Sequence, residues 1–185
     1  RMERSETLRD GTKVTIRRGR ADALDAMALL VFLQAISRET TNTYMVPEEV
    51  ARITVDQEVT FLEQTRKDGQ LFLVAEIAGE VVGSLGVMRR MGARTLHRCE
   101  FGITVMEKYW GFGIGTMLLD TLIEWARAED ITKVELKVRV DNQRAISLYH
   151  KLGFVDEGHL KNAMKVGKVY YDELCMGLDL MDVVD

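Results

Sequence analysis

Proline is nearly missing from this chain: Pro47 is the only one among 185 residues. With so few breakers and no low-complexity stretch, nothing divides the sequence into linked pieces, and no internal repeat is visible. One domain of ordinary size is expected. Cysteine is scarce too. Cys99 and Cys175 stand at neither a metal-like nor a redox-like spacing, and the three histidines, His97, His150 and His159, are scattered. No metal site is expected, both thiols are read as reduced, and the compartment is read as cytoplasmic. No run approaches the roughly 20 apolar residues of a membrane span, and no secretory signal precedes the fold. An excess of positive charge is also lacking. Lys and Arg number 25 against 29 Asp and Glu, a net charge of −4, which argues against general nucleic-acid binding. A mildly acidic balance suits a small cationic substrate better.

What the chain does have is apolar residues, 46% of the total, enough for a real core. Their spacing gives a coarse element order. A strand is expected at Lys13–Arg17 and a helix from about Ala21 to Ser37, where Leu24, Met27, Ala28, Val31 and Ala35 recur at helical spacing. The stretch RETTNTYMVPEEV reads as an irregular loop. A helix at Val55–Lys67 follows, then two strands joined at Ala78-Gly79 and a strand at Arg98–Val105. A helix at Gly113–Ala128 carries the stripe Ile114, Met117, Leu118, Leu122 and Trp125. Lys133–Val140 alternates as a strand. DNQRAISLYHKLGF is a short helix with Asn142 as N-cap and Gly153 as its stop. Two last strands, about Phe154–Lys161 and Lys168–Leu178, should pair across Val166-Gly167. The order βααβββαβαββ implies a mixed sheet with helices on its faces.

One stretch raises a chemical question. YWGFGIGTMLLD, Tyr109–Asp120, sets Gly111, Gly113 and Gly115 directly before a good helix. This is either a tight strand-to-helix turn or an anion cradle. The first N–H groups of a helix lack internal partners and carry the positive end of its dipole, so glycines there let a phosphate reach the backbone. Two better-known phosphate loops are excluded: position 116 is Thr where a dinucleotide fingerprint needs Gly, and no Gly-Lys-Ser/Thr is present.

Taken with its neighbours, this stretch resembles the GNAT superfamily of N-acetyltransferases. YWGFGIGTMLL is similar to the family's Gln/Arg-x-x-Gly-x-Gly/Ala loop, with Gly113 and Gly115 in the glycine positions. Asp141–Phe154 is similar to Asn-x-x-Ala-x-x-Leu-Tyr-x-x-x-Gly-Phe, and the strand EFGITV precedes the loop. The resemblance covers about residues 12 to 180, read as a single domain. Residues 1–11 form an N-terminal extension, whose Arg1 ahead of Met2 is taken as foreign to the fold, and 181–185 form a tail. Trp110 departs from the pattern, which has Gln or Arg there, and is read as a core or rim aromatic.

The resemblance implies a mostly antiparallel sheet with helices on both faces and one splayed parallel strand pair, Arg98–Val105 beside Lys133–Val140. It implies acetyl-CoA as cosubstrate, with backbone at Ile103, Thr104 and Val105 pairing with the pantetheine arm. Amides of Gly111, Phe112, Gly113, Ile114, Gly115 and Thr116 would hold the pyrophosphate. The reaction would be direct attack of a primary amine on the thioester through a tetrahedral intermediate. The Val105 N–H would face the oxyanion, and Tyr149 would be the general acid toward the departing thiolate. Asn142, Ala145 and Tyr149 share one helix face at spacings of three and four. Asn142 is explained by capping alone, by facing the cofactor, or by both. Arg144 and Lys151 read as solvent-exposed charges. For the general base, Glu100, Glu76, Asp172 and a water chain stay open. The segment Ser37–Val50, with Glu39, Tyr44, Glu48 and Glu49, and the loop Asn162–Lys168 should flank the acceptor. That acceptor is a small-molecule amine in the leading reading. A protein N-terminus or lysine, or an acyl-CoA sensor without turnover, are the alternatives. A homodimer is frequent in the superfamily, but no interface is legible.

Overall fold

The computed structural model describes residues 2–181. The chain runs β1 (Arg4–Thr7), β2 (Lys13–Arg18), α1 (Ala23–Glu39), α2 (Pro47–Val50), α3 (Val55–Thr65), β3 (Leu71–Ile77) and β4 (Glu80–Arg89). It continues through β5 (Arg98–Val105), a 3₁₀ turn at Glu107–Tyr109, α4 (Ile114–Ala128), β6 (Lys133–Arg139), α5 (Gln143–Lys151), β7 (Val155–Val166) and β8 (Val169–Asp179). The strands hydrogen-bond in the order β1-β2-β3-β4-β5-β6-β8-β7. This is the mixed, mostly antiparallel sheet that was expected, with one parallel pair, β5 with β6. Two elements were not foreseen. β1 lies in the N-terminal extension and pairs antiparallel with β2, and α2 is a single turn inside the segment read as irregular. The chain divides into two compact units.

The first unit holds the chain up to Val87 and Ile103–Leu122. Its β3 reads LFLVAEI and is buried along its length except at Glu76, the pattern of a strand covered on both faces. α1 and α3 lay Ala26, Leu29, Phe32, Ile36 and Leu62 against Phe72, Val74 and Val81. This corrects the stripe read for α1. Of its residues, Leu24, Met27 and Val31 are exposed to 79%, 54% and 72%, because the helix is apolar on two faces and the core takes the other one. A buried charge cluster helps choose the face. The Arg17 guanidinium donates to both oxygens of Asp25, at 2.6 and 2.9 Å, and to Glu76 at 2.7 Å, which ties the first turn of α1 to β2 and β3. A buried charge is tolerable only when paired in this way.

The second unit holds Met88–Gly102 and the chain from Ile123. The parallel register joins Arg98, Cys99 and Glu100 to Lys133, Val134 and Glu135 and then ends, although β5 and β6 both continue. The β6–β8 register, by contrast, covers seven positions. Phe101, Tyr149 and Phe154 meet edge to face, with centroids 5.8 to 6.1 Å apart. α5 begins at Asn142, whose side chain accepts from the Ala145 N–H at 3.3 Å, and stops before Gly153.

Candidate active site

β5 ends at Val105. The Met106 N–H donates to the Val82 carbonyl at 2.9 Å, which joins this end of β5 to β4. Strand alternation then turns Thr104 toward β4, where its carbonyl lies near Gly83. Ile103 and Val105 are turned to the opposite edge. On that edge the Val105 carbonyl is taken by the Trp110 indole N–H at 2.8 Å. Trp110 is thus neither a core residue nor an idle rim aromatic: its ring closes the loop between strand and helix. The Glu107 N–H donates to the carboxylate of Glu39, at the end of α1, at 3.1 Å. Together these bonds hold the connection at both ends.

Gly111 and Gly113 follow with φ of +83° and +82°, a conformation that costs glycine little and other residues much. A Cβ on Gly113 would meet nothing within 4 Å. The first helical bond of α4 runs from the Met117 N–H to the Gly113 carbonyl at 3.0 Å. The N–H groups of Gly113, Ile114, Gly115 and Thr116 precede it, and none has a partner among the described residues. Ile114 is buried and anchors the turn, whereas Phe112 is exposed. The glycine stretch is therefore both a tight turn and a row of unused donors with free space before it.

In the second unit, Tyr149 is 6% exposed, and burial pushes its phenol well above its ordinary pKa. It stays protonated at any working pH. Its hydroxyl makes no hydrogen bond with the chain among the described residues. Asn142 caps α5, and Ala145 donates to it. Glu100 alternates with the buried Cys99 and Phe101 along β5, so its carboxylate lies on the face away from the ring that Tyr149 packs on. There the Lys137 ammonium stands 3.6 Å away. Of the other carboxylates weighed as bases, Glu76 is held by Arg17. Asp172 accepts from His159 at 2.7 Å and from the Asn162 N–H at 2.8 Å. Both are engaged. Burial pushes the Cys99 thiol up to about 12, which removes it as a nucleophile. No cluster able to hold a metal ion occurs among the described residues, and no helix is long and apolar enough to cross a membrane.

Sequence reasoning missed the Trp110 bond, since only the folded turn brings residues 105 and 110 together. It also missed Arg139. That guanidinium is buried, forks onto Asp141 at 2.7 and 2.9 Å, and lies 3.7 Å from the Tyr171 ring centroid. It braces the turn just ahead of Asn142.

A strand edge leading into a helix start with unpartnered N–H groups suits a nucleotide-linked thioester with a pantetheine arm, the cosubstrate of an acyl-CoA-dependent transferase. The family model described as the Acetyltransferase (GNAT) family matches residues 33–154, and the chain belongs to that family, whose cosubstrate is acetyl-CoA. It is 39% identical over 90 residues to an L-amino acid N-acetyltransferase of Escherichia coli, covering 46% of this chain and 54% of that protein. It is 33% identical over 120 residues to an N-alpha-acetyltransferase of Sulfurisphaera tokodaii, covering 60% and 72%. Among solved structures, a GNAT acetyltransferase of Streptococcus pneumoniae matches with a TM-score of 0.83 at 30% identity, over 91% of this chain and 99% of that one. An acetyltransferase of Salmonella typhimurium solved with acetyl-CoA matches in fold, with a TM-score of 0.78 at 23% identity over 93% and 96%.

The residues present fit the cosubstrate. The four partnerless amides and the space in front of Gly113 suit a pyrophosphate without any basic side chain.

Proposed function

We propose that this enzyme moves the acetyl group of acetyl-CoA to the primary amine of a small molecule, an amino acid or a close derivative. The observation that carries the reading is the row of unpartnered amides from Gly113 to Thr116 beside open space. These amides, with Gly111 and Phe112, bind the pyrophosphate. Ile103 and Val105 align the pantetheine arm through their backbone, while Thr104, expected beside them, is turned to β4 instead; the parallel register that ends at Glu100 and Glu135 leaves that edge of β5 available. The Val105 N–H faces the thioester oxygen, where negative charge develops. Trp110 keeps the Val105 peptide in place from its carbonyl side. Tyr149 donates the proton that the departing thiolate needs. Asn142 and Ala145 form the start of the helix that presents it. Glu100, with the Lys137 ammonium 3.6 Å away, takes the proton lost by the amine, directly or through water. Action as a homodimer in the cytoplasm completes the reading.

The Escherichia coli relative, named for L-amino acids, supports a small acceptor. The Sulfurisphaera relative, named for N-alpha-acetylation, supports a second reading in which the amine is a protein N-terminus. Thiol release from acetyl-CoA, followed with free amino acids, polyamines, aminoglycosides and short peptides, separates them. Free amino acids are expected to give turnover where peptides do not. With the productive acceptor, Tyr149→Phe should cut kcat by about 10²–10⁴-fold and leave acetyl-CoA affinity unchanged. Peptide-only turnover would replace the acceptor assignment, and full activity of Tyr149→Phe would remove the acid.

A further inference from the structure

Arg139 is a buried charge that the reaction as described leaves unused. It is the last residue of β6 and is 7% exposed. Its Nε and Nη2 donate to the two carboxylate oxygens of Asp141, at 2.9 and 2.7 Å. From the hairpin side, the Tyr171 ring centroid lies 3.7 Å from the guanidinium carbon. Nη1 comes within 3.9 Å of the Met164 sulfur, and Met164 is the one buried residue of β7. Taking a guanidinium out of water is costly. The turn at Val140 and Asp141 does not need it for closure, because the Asn142 N–H already donates to the Arg139 carbonyl at 3.0 Å. What the side chain adds is direction. A fork on both oxygens fixes a plane, and the Tyr171 ring fixes that plane from its other side.

α5 starts directly after this turn, with Asn142 as its cap, and Tyr149 follows two turns later. The Tyr149 hydroxyl has no hydrogen bond with the chain among the described residues, so nothing at its own end sets its place. Its ring meets Phe101 and Phe154 edge to face, and such contacts slide at little cost. The start of the helix decides the rest. A tilt of about 5° at Asn142 moves a group ~10 Å further along the axis by about 1 Å. We propose that Arg139 is a positioning residue for the acetyl transfer. Through the Asp141 fork it sets the start of α5, and so the place from which Tyr149 delivers its proton. The β7–β8 hairpin, through Tyr171 and Met164, holds the guanidinium in that orientation. The inference rests on Tyr149 being the acid.

Arg139→Lys keeps the charge but loses the fork and the flat stacking surface. It should lower kcat by about 10–10²-fold, the size expected of a small misplacement, and leave the KM for acetyl-CoA within about twofold. In a Tyr149→Phe background the same substitution should change kcat by less than about twofold, because the group it positions is gone. Amide hydrogen exchange read by mass spectrometry should speed up over α5 and stay as it is over α4. Should Arg139→Lys fail to fold, Asp141→Asn at the exposed end of the fork keeps the turn and one acceptor. It should give the same pattern with a several-fold loss of kcat. Losses that add in full to that of Tyr149→Phe would overturn the proposal. So would unchanged exchange over α5, or a loss that falls on the acetyl-CoA KM. Those outcomes leave the acid in place, whereas full activity of Tyr149→Phe by itself would remove the acid and this proposal with it.

Discussion

β3 and β7 are opposite kinds of strand. β3 buries six of its seven residues and is held by what covers it. β7 is longer, and of its twelve residues only Met164 is buried. What holds β7 is its ladder with β8, interrupted between Asp156 and Gly158 and again between Leu160 and Met164. Polar pairs flank the ladder: Lys133 with Glu157, His150 with Asp156 and His159 with Asp172. Exposed pairs of this kind contribute little each. The lesson is one of division. The first unit puts its free energy into burial. The hairpin of the second is a thinly buried extension with low local stability.

The sharpest way to break this contrast is to shave one side chain in each strand. Leu73→Ala, in the middle of β3, should cost about 2–5 kcal/mol, because the cavity it leaves is enclosed on both faces. Val155→Ala, at the exposed start of β7, should cost less than about 0.5 kcal/mol. Urea unfolding midpoints measure both. Equal costs would mean that β7 is covered by something the hairpin itself does not contain.

The same contrast explains what could be read from the sequence. The α4 stripe Ile114, Met117, Leu118, Leu122 and Trp125 is buried throughout, because that helix is apolar on one side only and periodicity then decides the face. The β5 boundaries, the Ala78-Gly79 turn and the Asn142 cap were legible for a similar reason: each is set by residues within a few positions. α1 was legible as a helix but not in its orientation. It has two apolar faces, and Phe72, Val74 and the pull of Arg17 on Asp25 choose between them. β1 was invisible because RSET has no apolar alternation, and only the edge of β2 makes it a strand. At the site, the glycine donors were legible and the Trp110 bond was not.

A smaller effect tests whether the first unit rests on burial alone. Asp25→Asn keeps the shape of the Arg17 cluster and leaves Glu76 to balance the charge, so about 1–3 kcal/mol should be lost. Burial by itself would raise the Asp25 pKa. Hydrogen bonds from Arg17 and from the Arg20 N–H outweigh it and hold the carboxyl below the usual value. A depressed carboxylate contributes stability that is complete above its unfolded pKa of about 4 and is lost as pH falls through the folded value. The gap between the two proteins should therefore be constant near neutrality and narrow on acidification. A gap that widened in acid would reverse the assignment.

An effect smaller than that of Asp25→Asn falls on Trp110, and it sharpens the comparison most. Trp110 belongs to the unit built on burial, yet its segment is held as the hairpin is, by single hydrogen bonds: indole to Val105, Glu107 N–H to Glu39, Met106 N–H to Val82. Reliance on bonds would then follow from the work a segment does and not from the unit it belongs to. Trp110→Phe keeps a half-exposed ring and removes one donor, at a cost of about 0.5–1.5 kcal/mol. If that bond serves the cosubstrate edge of β5, the loss should appear as a KM for acetyl-CoA raised a few-fold with the urea midpoint nearly unchanged. If it serves only the fold, the midpoint should move and KM should stay. Cosubstrate-binding segments must admit a ligand backbone along an open edge, and an edge sealed by packing cannot do that. The KM-only outcome is therefore the one the geometry predicts.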